Sequence, residues 1–415
     1  MSKNMVADHA IRPVENDTIF TISAKASEAT QKYGAENVIN SSMGVLLEDN
    51  GDFVAFKSVY DYLKKLDNPK IAAYASIEGD KDFLQAVKQA CFKEHIPNAY
   101  IEAVATPGGS GAIHHSIFNY TNIGDYVLTS SLYWDPYNTM CIENGRRLDT
   151  FNMFDKRGGL DIESFEDKFN YHLNRQNRLL TILNTPAHNP TGYSISDEEW
   201  DRIINILKAG AKNKDNKIIL LVDVAYIDFC DEGFNRRNFM EKFAGLDENI
   251  IVLIAFSASK GYTMYGLRNG ALLCVSSNEE IAKEFFYTSL HSNRGTWSNG
   301  TKCAMRVLTD IINDKNIGEP FYKERGHYVK MLRKRADAFL DSSKEEGLDL
   351  YPYKDGFFVC VPCKNPVKVS ERLMDKNLFV IPLQTGLRFA LCAVSEEKCK
   401  VAPKIIKEVM MECDE

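Results

Sequence analysis

Short apolar runs recur along the chain at residues 99–105, 126–129, 179–183, 218–222, 250–256 and 271–275. Each has the length and continuity of a strand buried on both faces. Between them lie stretches with helical spacing, such as 197–211 and 279–291. This alternation predicts an α/β fold with a mainly parallel sheet covered by helices. The pattern changes near the C-terminus. Residues 323–346 predict a long charged amphipathic helix, followed by apolar runs at 356–361, 379–382 and 387–394 and a helix over about 396–413. That is a smaller α+β unit. The first 48 residues carry few helix or strand signals and are expected to join it. The predicted large domain spans 50–318, and the small one combines 1–49 with 319–415.

Composition narrows the class. The 415 residues carry a net charge of -7 with no Lys/Arg cluster, which points away from nucleic acid and anionic membranes. No apolar run is long enough to span a bilayer. The start, Met1 to His9, lacks the apolar core of a secretion signal. Ten cysteines are scattered without disulfide-like spacing, as expected of a cytoplasmic protein. Cys360 and Cys363 have redox spacing, but they lie in a strand-like run whose alternation sends them to opposite faces. No second Cys or His pair completes a metal set, so they read as structural and no metal is expected.

The chemistry concentrates where buried runs end. The run 250–256 is followed by Ser257-Ala-Ser-Lys260 and then Arg268. In open α/β sheets ligands sit beyond the carboxyl ends of strands. A lysine there can form an imine with a carbonyl cofactor, and Ser257 with Arg268 can hold a phosphate. The run 99–105 leads into Pro107-Gly-Gly-Ser-Gly-Ala112, where Gly109 and Ser110 can cradle an anion at a helix start. Beyond 179–183, the amide of Asn189 can donate to a phenolate-like oxygen. Asp223 ends the run 218–222, and a buried carboxylate needs a cationic or hydrogen-bonding partner, such as a protonated pyridine nitrogen. Each feature alone has a plain alternative: a tight turn, turn punctuation, an aspartate on backbone amides, a solvated lysine. Together they match the groups of pyridoxal 5′-phosphate.

The stretches Ala187-His-Asn-Pro-Thr-Gly192, Asp223-Val-Ala-Tyr226 and Ser257-Ala-Ser-Lys260 with Arg268 resemble, in order and approximate spacing, the class I/II aminotransferases of the type I pyridoxal-phosphate fold. The resemblance runs from about Val38 to the C-terminal helix. It implies a mainly parallel seven-stranded sheet between helices plus a smaller α+β domain. It implies that Lys260 forms the Schiff base, Asp223 pairs with the pyridinium nitrogen, and Tyr226 and Asn189 bond the ring 3′-oxygen. Gly109, Ser110, Ser257 and Arg268 would hold the phosphate, and Trp134 would stack on the ring. Tyr74 resembles the tyrosine that reaches a neighbouring subunit's phosphate, which implies a homodimer with active sites at the interface. Arg388 matches the arginine that clamps the substrate α-carboxylate.

The implied activity is exchange of an α-amino group between an amino acid and a 2-oxo acid by a ping-pong mechanism. The chain looks closest to the aspartate and aromatic branch, through Ala187-His188, Tyr265 and the segment 40–52, which would place Gly44 beside the substrate. Arg294 falls where that branch places an arginine that crosses the dimer to bind a dicarboxylate side chain. Two features depart from the pattern. Gly300-Thr-Lys follows Asn299 where the family has paired prolines, and Tyr137 stands where it has a histidine behind the ring-binding aspartate. The alternatives are a β-lyase on the same scaffold, an aminotransferase-like ligand sensor of a transcription regulator, and a scaffold without chemistry. The first 50 or so residues lack a helix-turn-helix pattern and a basic surplus, which counts against the sensor.

Overall fold

The computed structural model describes residues 5–12, 18–230 and 237–414. Residues 1–4, on which part of the leader reading rests, lie outside the described residues. Among the described residues twelve strands occur: β1 (Ile39–Asn40), β2 (Tyr100–Pro107), β3 (Tyr126–Ser130), β4 (Arg147–Phe151), β5 (Arg178–Asn184), β6 (Lys217–Asp223), β7 (Ile250–Ser257), β8 (Asn269–Ser276), β9 (Phe358–Pro362), β10 (Leu378–Phe379), β11 (Ile381–Pro382) and β12 (Gly386–Ala390).

Seven strands form one sheet in the order β2-β8-β7-β6-β5-β3-β4. Only β8 runs against the others, pairing antiparallel with both β2 and β7. The mainly parallel sheet expected from the alternation is therefore present. Strands β7 and β8 are buried along their whole length, which is why their sequences are unbroken apolar runs. Strand β4 was not expected. It is an edge strand, Arg-Leu-Asp-Thr-Phe, with only its last residue buried, so no apolar run marks it.

A second, antiparallel sheet has the order β11-β12-β9, and β1 pairs with β10. The expected strand over 379–382 is split at Val380 into β10 and β11. The long helix runs over Lys315–Glu345, starting earlier than expected. Gly318 and Pro320 both fall in its opening turns, where Asp314 caps the helix by accepting from the Asn316 N–H at 2.8 Å. Contrary to expectation, the N-terminal segment contains a helix, Thr18–Tyr33. Its buried face is only Ile22 and Ala26, packed on Val38, Phe379 and Ile381. So narrow an apolar stripe leaves little periodicity to read.

Behind the ends of β6 and β7 lies a buried ionic cluster. Asp228 accepts from Arg237 Nη2 at 2.8 Å and sits 3.1 Å from Arg325 Nη1 on the long helix. Gly261, next to Lys260, packs so closely that an added methyl would strike Asp228 Oδ2. Burial would raise the Asp228 pKa, but the two guanidiniums hold it below the usual aspartate range. Its stabilising contribution is complete above the pKa of an unfolded aspartate, about 4, and is lost as pH falls through the lower folded value. Removing one member leaves two buried arginines facing a void. Asp228→Ala is expected to lower stability by about 3–5 kcal/mol, measured by urea unfolding at pH 7; a loss under about 1 kcal/mol would contradict the pairing.

Candidate active site

The carboxyl ends of four strands meet along one edge of the large sheet. Asn184 ends β5 directly opposite Asp223 at the end of β6. Ser257 ends β7 opposite Gly270 of β8, and Pro107 ends β2 opposite Asn269. These ends enclose a pocket of about 160 Å³, lined by Gly109, Ser110, Trp134, Asn189, Asp223, Tyr226, Ser257, Lys260 and Arg268. Nine residues expected to contact one cofactor thus share one cavity.

Lys260 sits on a four-residue helix, Ala258–Gly261, capped by Ser257, whose Oγ accepts from the Ser259 N–H at 3.2 Å. Its Nζ donates to the Gly44 carbonyl at 2.9 Å and lies 4.7 Å from the Tyr265 ring centre. Burial, with the guanidiniums of Arg388 and Arg268, lowers its pKa to about 8. The amine therefore spends far more time uncharged near neutrality than an exposed lysine does, as a nucleophile requires.

Asp223 is buried. Tyr137 O–H donates to its Oδ2 at 2.6 Å, and the Ala225 N–H to its Oδ1 at 3.1 Å. Burial pushes its pKa up, and the two donors pull it back. Asn184 braces this end of the site. Its Nδ2 donates to the Asp223 carbonyl at 2.9 Å, while its Oδ1 accepts from the Asn189 N–H at 2.6 Å. Asn189 Nδ2 in turn donates to Tyr226 Oη at 3.4 Å. Burial raises the Tyr226 pKa, so the phenol keeps its proton. Trp134 lies edge-on to Tyr137, with ring centres 5.5 Å apart.

At the other end, Gly109 and Ser110 occupy the first turn of the helix Gly108–Tyr120. The first amides of a helix lack partners within it and favour an anion. Facing them are Ser257, Ser259 and Arg268, whose Nη1 donates to Ser259 Oγ at 3.2 Å and to the Tyr265 carbonyl at 2.8 Å. Space here is fully used. A methyl on Gly108, at φ +68°, would come within 2.8 Å of Arg268 Nη2, and one on Gly270 within 2.6 Å of the Gly108 carbonyl carbon. Anion donors, a buried carboxylate and a lysine of lowered pKa in one pocket fit pyridoxal 5′-phosphate group by group.

Arg388 lies in an adjoining cleft of about 520 Å³ that shares Trp134 and Asn189 with the first pocket. It is buried, donates to the Ser42 carbonyl at 2.8 Å and lies 4.6 Å over the Phe358 ring. Gly44 reaches the site through its carbonyl, and a methyl on it would come within 2.8 Å of Phe358 Cζ. Tyr74 and Arg294 are not brought to this pocket. Tyr74 is 87% exposed, and Arg294, also exposed, donates to Ser298 Oγ at 2.6 Å. Asn184 and Ser259 line the pocket and were given no role in the sequence. The signal for Asn184 was available: it ends its strand as Asp223 ends the next. Two larger clefts, of about 800 Å³ beside His172 and about 990 Å³ at the opposite strand ends, contain none of these groups.

The profile of the family described as Aminotransferase class I and II matches residues 36–406, and the chain belongs to that family. A solved aminotransferase from Anaerococcus prevotii DSM 20548 is 40% identical and superposes with a TM-score of 0.96, covering 98% of this chain and 99% of that one. The tyrosine aminotransferase of Klebsiella pneumoniae is 24% identical over 331 residues, 77% of this chain and 81% of that protein. The aspartate aminotransferase of Haemophilus influenzae is 24% identical over 329 residues, 78% and 80% of the two. The protein is a pyridoxal-phosphate-dependent aminotransferase with the type I fold.

Covalent capture of pyridoxal 5′-phosphate by the cofactor-free protein needs the uncharged Lys260 amine. Its rate is expected to rise about tenfold per pH unit below pH 8 and to level off above it. Stopped-flow absorbance across pH 6 to 10 reads this directly, and a rate still climbing steeply at pH 10 would contradict the lowered pKa.

Proposed function

We propose that the chain exchanges the α-amino group between an amino acid and a 2-oxo acid in a ping-pong cycle, with the amino acid held by Arg388. The observation that carries this reading is that Lys260, Asp223 and the anion cradle line one pocket, next to a cleft lined by Arg388. Bound pyridoxal 5′-phosphate supplies an aldehyde for the amino group and a ring that draws electrons from Cα.

The chain's own residues do the rest. Arg388 fixes the α-carboxylate through a planar, bidentate guanidinium, which orients the Cα–H bond. Asp223 would keep a proton on the cofactor's ring nitrogen, and Asn189 and Tyr226 would hydrogen-bond its ring oxygen. Gly109, Ser110, Ser257 and Arg268 hold the phosphate, with Trp134 against the ring. The Lys260 amine, whose lowered pKa lets it exist uncharged near neutrality, would serve as the base that takes the substrate Cα proton and as the acid that gives it back. A 2-oxo acid then uses the same groups in reverse.

The cleft at Arg388 supports an aromatic or other bulky apolar substrate side chain, since Ile19, Leu132, Tyr133, Ile381 and Leu383 line it. Arg294 supports a second reading, a dicarboxylate substrate. That reading requires a homodimer in which Arg294 and Tyr74 enter the neighbouring site, and their exposure favours it. Residues 50–318 would form the cofactor-binding domain, and 1–49 with 319–415 the smaller one. Ten free cysteines fit a cytoplasmic setting.

Half-reactions followed by the cofactor's visible absorbance test these points. Arg388→Lys is expected to raise KM for every amino acid by roughly 10- to 100-fold, because bidentate contact is lost. Arg294→Ala is expected to reduce kcat/KM for aspartate and glutamate while leaving tyrosine and phenylalanine unchanged. Release of pyruvate and ammonia from cysteine without amino-group exchange would replace the proposal with a β-lyase.

A further inference from the structure

The last turn of the helix Glu279–Thr296 contains a fully buried amide that the proposed reaction does not use. Asn293 Nδ2 donates to the Ile77 carbonyl at 2.8 Å and to the Ala105 carbonyl at 3.1 Å. Its Oδ1 lies 3.0 Å from His115 Nε2. Since the nitrogen faces two carbonyls, the oxygen must accept from a His115 Nε2–H. Burial keeps His115 neutral, lowering its pKa to about 4, and Trp297 stacks on it with ring centres 4.2 Å apart. One side chain therefore joins three segments. Ile77 lies three residues beyond Tyr74. Ala105 leads into the cradle, and its N–H donates to the Glu78 carbonyl at 2.7 Å. His115 is on the cradle helix. The next residue after Asn293 is Arg294.

We propose that Asn293 is a positioning residue for the neighbouring subunit's active site, fixing Tyr74 and Arg294 against the frame of their own subunit. This rests on the homodimer reading given above. The reason for action across the interface is geometric. Tyr74 and Arg294 are exposed and stand outside their own subunit's pocket, so an error in their placement is felt only where they reach. The cradle of the same subunit is independently wedged by Arg268 and Gly270 against Gly108. An amide is required at position 293 because two donors on one nitrogen meet two carbonyls while the oxygen takes a third bond. Alanine leaves both carbonyls without this donor, and aspartate cannot donate to either.

Hybrid dimers test the proposal. Two chains carrying different affinity tags are co-expressed and purified through both tags. In the first hybrid, Asn293→Ala is paired with Lys260→Ala, so the only competent site draws its crossing residues from a subunit with intact Asn293. In the second, wild type is paired with the Lys260→Ala/Asn293→Ala double variant, so the crossing residues come from the altered subunit. Covalent cofactor absorbance reports only the site bearing Lys260. The expected result is a loss confined to the second hybrid: about tenfold weaker pyridoxal 5′-phosphate binding and an aspartate KM raised by about tenfold. A loss confined to the first hybrid, an equal loss in both, or none in either would overturn it. Thermal unfolding of each Asn293 variant checks the fold. If Asn293→Ala does not fold, Asn293→Ser in the same pairings decides. A wild-type protein that sediments as a monomer would instead refute the homodimer reading, and this inference with it.

Discussion

The carboxylate of Asp223 is the constraint around which the site is arranged. It ends a strand buried between two others, where a negative charge is costly unless it is met. Tyr137 and the Ala225 amide meet part of that need, and burial still raises its pKa. The neighbouring strand end is adapted to the same point. Asn184 bonds the Asp223 backbone and orients Asn189, which bonds Tyr226. The parallel register that sets Asn184 opposite Asp223 thus turns two strand ends into one hydrogen-bonded unit. In the proposed function a protonated ring nitrogen would complete it.

Around that unit, parts of the chain distant in sequence converge on Lys260. Its amine touches the carbonyl of Gly44, and Asp228, gripped by Arg237 and Arg325, stands behind its turn. The segment that delivers Gly44 is itself fastened. The Leu46 N–H donates to Tyr265 Oη at 3.1 Å, and the buried Arg335 bonds Asp49 and the carbonyls of Leu47 and Cys392. Tyr328 on the long helix donates to Glu48 at 2.6 Å. The lysine is therefore placed by the sheet on one side and by the long helix and N-terminal segment on the other.

Most of this arrangement was legible in the sequence because burial leaves a strong signature. Six of the seven strands of the large sheet are apolar runs, and their polar endings stood out against that background. The edge strand β4 and the helix Thr18–Tyr33 were not legible, since each buries few side chains. Gly109, Ser110, Asn189, Asp223, Ser257, Lys260 and Arg268 stood out because they follow buried runs, whereas Trp134 and the role of Tyr226 came from the family resemblance. Asn184 was passed over although it ends β5 as Asp223 ends β6, and Ser259 because a serine beside Ser257 and Lys260 carries no distinct signal of its own. The hub at Asn293 was invisible for a different reason. Its partners, at positions 77, 105 and 115, come from three separate segments and include two backbone carbonyls that no side-chain pattern reports.

One aromatic ring occupies a junction among these parts. Phe358 lies under the Arg388 guanidinium, edge-on to Tyr226 at 5.7 Å, and against Gly44, which leaves no room there for a methyl. A change in the size of this ring would disturb the Arg388 guanidinium, the Tyr226 phenol and the lysine's carbonyl partner together. Its effects are necessarily pleiotropic. If the Arg388 cleft receives the substrate side chain, as proposed, adaptation to new amino acids has an open route through Ile19, Tyr133 and Leu383, which line that cleft apart from this ring.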